Sequence, residues 1–108
     1  MSEIKIPTAQ PLPLAKAIEY AAGGIVSKTL LDKKSGTLTL FSFDAGQGLS
    51  EHTSPYDATV QILEGEGTLT IGGTPVKARA GELVIMPAGI PHDVHAGQRL
   101  KMLLIMIR

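Results

Sequence analysis

His52, His92 and His95 are the only histidines in the sequence. Imidazole is the side chain best suited to hold a metal, to hydrogen-bond a ligand, or to take a proton near neutral pH. His52 follows the glycine break Gly46-Gln47-Gly48, and His92 follows Pro87-Ala88-Gly89-Ile90-Pro91. Each is therefore read as standing at the start of a strand. Alternation along a strand puts His52 and Ser54 on one face, and His92 and Val94 on one face. His95 then falls on the opposite side as a rim residue, and Glu51 faces outward. Tyr56 and Asp57 precede Ala58 and are placed at a pocket mouth. Ala58, Val60 and Ile62 form an apolar face. Met102, Leu104 and Met106 share another, and together with Met86 they suit either a core or an apolar pocket wall. Ser50 and Ser54 lie near His52, but no strand–turn–helix elbow is present to make either a nucleophile.

The elements that must carry these residues read as strands. Residues 1–23 form an N-terminal arm, irregular to Pro11-Leu12-Pro13, in which Leu14–Ala22 suits a short helix stopped by Gly23-Gly24 or, alternatively, an edge strand. Residues 24–108 read as one β-domain. Its strands are expected over Ile25–Leu31, Thr37–Phe43, Ala58–Leu63, Thr68–Ile71, Pro75–Arg79, Glu82–Met86, His92–Ala96 and Leu100–Ile107. Gly72-Gly73 is a two-residue hairpin signal. Eight or nine short strands with turns at regular spacing make a sandwich or closed barrel.

Composition narrows the function. The chain has 108 residues, 44% of them hydrophobic, with ten Lys and Arg against ten Asp and Glu. Zero formal charge and no basic cluster argue against a nucleic-acid partner. The absence of cysteine removes disulfides, thiolate metal sites and thiol nucleophiles. The longest apolar run, Met102–Ile107, is far too short to span a membrane, and Met1–Ile6 has no apolar signal core. The expectation is a soluble, cytoplasmic protein. Gly65-Glu66-Gly67 lacks the third glycine and the following helix of a dinucleotide fingerprint.

The spacing of these residues resembles the cupin superfamily. The first cupin motif, G-x5-HxH-x3,4-E-x6-G, is matched by Gly46, His52 and Gly65, with Ser54 where the second His belongs and Ala58 where the Glu belongs. The second, G-x5-PxGxxH-x3-N, is matched by Gly81, Pro87, Gly89 and His92, with Ala96 in place of Asn. The resemblance covers roughly residues 37–107. It implies an all-β fold: a single-domain antiparallel β-barrel, the double-stranded β-helix or jelly roll of small bacterial cupins. It also implies one divalent metal ion, zinc, iron, manganese or nickel, at His52 and His92. Two of the four family ligands are replaced here, so such an ion would be weakly held.

Three functions are consistent with this reading. In the first, the barrel interior binds a small, largely apolar molecule oriented by His52, His92, Ser54 and Tyr56, with Ala58 and Met102 in the pocket wall and the metal optional. Alternatively, a metal at His52 and His92 supports an enzyme, a dioxygenase, isomerase or decarboxylase of a small organic acid. In the third, the barrel is a non-catalytic dimerisation unit. Family members are often homodimers, and the arm before residue 24 is suited to lie on a neighbour.

Overall fold

Along Ala58–Glu64 the side chains alternate: Ala58, Val60 and Ile62 are buried, while Thr59, Gln61 and Leu63 are half-buried on the other face. One face of this strand packs into a core, and the other is partly covered by something else. The computed structural model, which describes residues 8–108, shows both partners.

Among the described residues, nine strands make two antiparallel sheets. They are β1 (Ile25–Lys33), β2 (Gly36–Phe43), β3 (Gly48–His52), β4 (Ala58–Glu64), β5 (Glu66–Ile71), β6 (Thr74–Arg79), β7 (Leu83–Met86), β8 (His92–His95) and β9 (Leu100–Ile107). The larger sheet has the order β1-β2-β9-β4-β7 and the smaller β3-β8-β5-β6. Chain neighbours such as β2 and β3, or β8 and β9, lie in different sheets, as in a jelly roll. The all-β expectation holds. The core between the sheets includes Phe43, Val60, Ile62, Leu69, Leu100 and Met102. Aliphatic side chains fill it because aromatics are scarce.

Two glycines have local causes. Gly65, between β4 and β5, has φ +83°, and a Cβ there would collide with the carbonyl oxygen of Arg99. Only glycine meets both demands. A Cβ on Gly48 would meet the carbonyl oxygen of Val94, so glycine lets β3 lie close against β8.

Three expectations need correction. The helix over Leu14–Ala22 is a single 3-10 turn, Leu14–Lys16, because its contacts are made with the sheet and not along its own axis. The arm's first seven residues lie outside the described ones. His52 ends a strand and does not start one: β3 begins at Gly48, since the glycine break only separates β2 from β3. Thr37 is likewise not a strand start, because β1 and β2 run on to Lys33 and from Gly36 through a turn at Lys34-Ser35.

Residues 14–20 lie on the outer face of the chain's own larger sheet. Ile18 is buried there with Leu40 and Leu103, a contact worth about 1.5–3 kcal/mol. Three side chains from the sheet hydrogen-bond alternate carbonyls of this segment. Lys101 Nζ donates to Ala15 O, Lys28 Nζ to Ala17 O at 3.1 Å, and Ser42 Oγ to Glu19 O at 2.7 Å. Tyr20 completes the attachment. Its hydroxyl donates to Glu64 Oε2, and its ring has Arg99 and Lys101 cations each 4.8 Å from its centroid. Burial, and then the Glu64 carboxylate, push the Tyr20 phenol well above its usual range.

Candidate functional site

His52 and His92 meet across the β3–β8 ladder. The pairing runs Gly48 to His95 and Leu49 to Val94, then jumps to His52 opposite His92. Ser50 and Glu51 therefore stand against Asp93 alone, which is a β-bulge. Strict alternation from inward-facing Leu49 would send His52 outward. The extra residue returns it to the interior, with the ring centroids 4.5 Å apart and the planes at 72°.

The two rings are oriented in the same way. His52 Nδ1 lies 2.8 Å from Ser50 O, and His92 Nδ1 lies 3.1 Å from Ile90 O. A carbonyl oxygen can only accept, so each Nδ1 carries the proton. That leaves Nε2 of each neutral ring as the lone-pair nitrogen. His92 is only 2% exposed, whereas His52 sits at the mouth and is open to solvent.

Both rings line a cavity of about 100 Å³ between the sheets. Its other polar residue is Ser54, 8% exposed, whose Oγ accepts the Tyr56 backbone N–H. Ala58 and Val60 from β4, Val94 from β8 and Leu104 from β9 supply apolar wall. Three thioethers, Met86, Met102 and Met106, complete much of the rest. The mouth is held by two loops: Gly89 N donates to Ser54 O at 2.8 Å, and Ala88 N donates to Asp57 Oδ1 at 2.8 Å.

His52, Ser54, Ala58, His92 and Met102 are thus brought to one cavity. Tyr56 is not: it is exposed and absent from the lining, because only its backbone N–H is needed to close the turn at Ser54. Asp57 serves as a loop clamp. His95 is exposed on the opposite face from His92. Leu49 also lines the cavity, which sequence reasoning does not foresee. Its signal is present in the Gly48-Leu49 step but depends on a register that only the bulge reveals.

The cavity does not suit a divalent metal held by the protein alone. Among the described residues no three His, Cys, Asp or Glu side chains converge, and the lining includes no carboxylate. Zinc and iron sites take three or four protein ligands, and an anionic ligand offsets the ion's charge. Two neutral imidazoles leave both needs unmet.

Comparison with known proteins agrees with the topology. A conserved protein of unknown function from Streptococcus pyogenes superposes with a TM-score of 0.91 at 36% identity, over 100% of this chain and 96% of that one. A cupin superfamily protein from Desulfitobacterium hafniense gives 0.89 at 30%, over 98% of each chain. A cupin 2 conserved barrel domain protein from Leptotrichia buccalis gives 0.85 at 42%, over 88% of this chain and 46% of that one. Residues 39–107, from the second strand to the end of the last, match the family model of the cupin domain. The protein belongs to the cupin domain family.

Proposed function

We propose that the barrel binds a small organic molecule bearing one or two hydroxyl groups, with its apolar part in the cavity and each O–H donated to the Nε2 of one imidazole. The observation that carries this reading is that Nδ1 of both rings faces a backbone carbonyl, so that Nε2 is the acceptor of each ring in its neutral form. Two Nε2 acceptors and no opposing carboxylate make a site that favours a neutral hydrogen-bond donor over an anion or a dication. An apolar wall with a few oriented polar groups is the usual make-up of a small-molecule pocket.

Volume limits the guest. At about 30 Å³ per water, 100 Å³ corresponds to roughly three waters, so only a fragment of a few heavy atoms is fully enclosed. Anything larger must extend past His52 at the mouth. Thermal unfolding in the presence of small alcohols and diols, against hydrocarbons of equal size, tests the reading. Saturation at ten times Kd stabilises by about 1.4 kcal/mol, a rise in Tm of several degrees for a domain of this size. The alcohols should produce it and His92→Ala should abolish it. Equal shifts with the hydrocarbons would refute the donor requirement.

A homodimer is favoured by one feature of the outer sheet face. Leu31, Leu38, Ile105, Thr59 and Ile85 are in register across all five strands. Ile85 is 58% exposed, and Leu83 on the same strand is 53% exposed. An apolar row of this kind suits a self-complementary contact about a twofold axis. Sedimentation should show a dimer that Ile85→Lys converts to monomer; a monomeric wild type would rule it out.

A further inference from the structure

Ser54 lines the same cavity as His52 and His92, and these three are the polar residues of its wall. A serine hydroxyl has one proton to donate and two lone pairs to accept with. The Ser54 Oγ accepts the Tyr56 backbone N–H at 3.1 Å. Its own proton meets no acceptor among the described residues. Nδ1 of each imidazole is engaged by a backbone carbonyl, and no hydrogen bond joins Ser54 to either ring or to a thioether. Ser54 is buried, so solvent reaches it poorly. An unused donor in an apolar interior is unfavourable, and the rest of the wall is hydrocarbon and thioether. A guest that carries its own acceptor meets this need.

Charge and size narrow that acceptor. No lysine or arginine lines the cavity, so a carboxylate or phosphate would enter without a counter-charge. A neutral carbonyl oxygen accepts without bringing a proton that itself needs a partner, whereas a further hydroxyl brings one. In about 100 Å³, the space of roughly three waters, the carbonyl has room only on the carbon next to the one that bears the hydroxyl. We infer that the guest is a small neutral α-hydroxy ketone or aldehyde, whose hydroxyl donates to an imidazole Nε2 and whose carbonyl oxygen accepts the Ser54 O–H. The inference rests on the hydroxyl-binding reading and adds Ser54 to it as the residue that sets specificity.

The test is titration of wild type, Ser54→Ala and Ser54→Thr with hydroxyacetone and with methallyl alcohol. Methallyl alcohol keeps the hydroxyl and the shape but has a methylene in place of the carbonyl oxygen. Ser54→Ala should lower the affinity for hydroxyacetone about 2–12-fold, the net worth of one hydrogen bond, and leave that for methallyl alcohol unchanged. Ser54→Thr, which keeps the O–H, should retain the wild-type ratio of the two affinities. Thermal unfolding verifies that both variants fold. A second measurement needs no variant. The carbonyl stretch of hydroxyacetone bound to wild type should lie below its value in dry ether, where no donor reaches the oxygen. An ether-like frequency would overturn the inference. So would a ratio of affinities that Ser54→Ala leaves unchanged, or propylene glycol as sensitive to that substitution as hydroxyacetone. Methallyl alcohol keeps the two readings apart: if it binds wild type in those cases, the hydroxyl reading stands and only the carbonyl is lost, and if it does not bind, both fall.

Discussion

His52 and His92 lie directly opposite one another on neighbouring strands, and each donates its Nδ1 proton to the carbonyl two residues before it. Two residues forty positions apart in the chain thus line one apolar cavity with their rings held in the same way. The proposed hydrogen-bond acceptor site rests on that relationship.

The two histidines should differ in what they contribute to stability. His92→Ala opens space in the core and leaves the Ile90 carbonyl without its donor, at a cost of about 1–3 kcal/mol. His52→Ala, at the solvent-exposed mouth, should cost within about 0.5 kcal/mol. Both should abolish guest binding. Urea unfolding and the alcohol titration measure the two effects separately, and a His52→Ala variant that still binds would remove His52 from the site.

Deleting Glu51 removes the bulged residue and restores strict alternation through β3. His52 then follows inward-facing Leu49 by two places and stays opposite His92 in a regular ladder. The variant should keep the fold, the contact between the two rings and alcohol binding. Loss of binding would show that the bulge itself, and not only the parity it corrects, positions His52.

Restoring the family ligand types should create a site for a divalent ion. Ala58→Glu alone places a carboxylate at a position 2% exposed, with no cation beside it, and should destabilise the protein by about 3–5 kcal/mol. Ser54→His/Ala58→Glu supplies a three-His, one-carboxylate set, so Zn(II) or Mn(II) should bind and recover the lost stability. Thermal unfolding with and without the metal reads both steps. A double variant indifferent to metal would mean that positions 54 and 58 do not converge with the histidines.

Acid should loosen the arm through Asp44. Its carboxylate accepts from the backbone N–H of Gly23, from Arg99 Nε and from the Ala45 N–H, and these bonds hold its pKa below the ordinary 3.8, with the Gly23 bond the largest cause. A depressed folded value stabilises the native state above the unfolded value. That stability is lost as pH falls below about 3.8 and through the folded value. Hydrogen exchange around Gly23 and Gly24 should accelerate over that window in wild type. In Asp44→Asn it should already be fast at neutral pH and lack the step. An identical acid profile in the variant would contradict this role.

Much of the barrel is legible because the chain alternates apolar and polar residues and breaks at glycines. β9, Leu100–Ile107, matches its sequence-based bounds, since no glycine or proline interrupts it. The His pair is legible from motif spacing. Its geometry is not, because the bulge at Ser50-Glu51 changes parity without any residue that announces it. The arm escapes local reading for a related reason. Leu14–Ala22 has helical composition, but the carbonyls of Ala15, Ala17 and Glu19 are satisfied by Lys101, Lys28 and Ser42. Those partners are 86, 11 and 23 positions away, beyond the reach of local propensity. Tyr56 sits within the motif spacing, yet its contribution is a backbone N–H, which side-chain chemistry does not reveal.

The most direct test of the acceptor site is a long-range proton–nitrogen correlation spectrum of the imidazoles, recorded at mildly alkaline pH on wild type and on His52→Ala and His92→Ala for assignment. Both His52 and His92 should show a pyrrole-type Nδ1 and a pyridine-type Nε2, with cross-peaks between the protons of the two rings. A proton on Nε2 of either ring, or two rings with no through-space contact, would contradict the shared orientation on which the acceptor site depends.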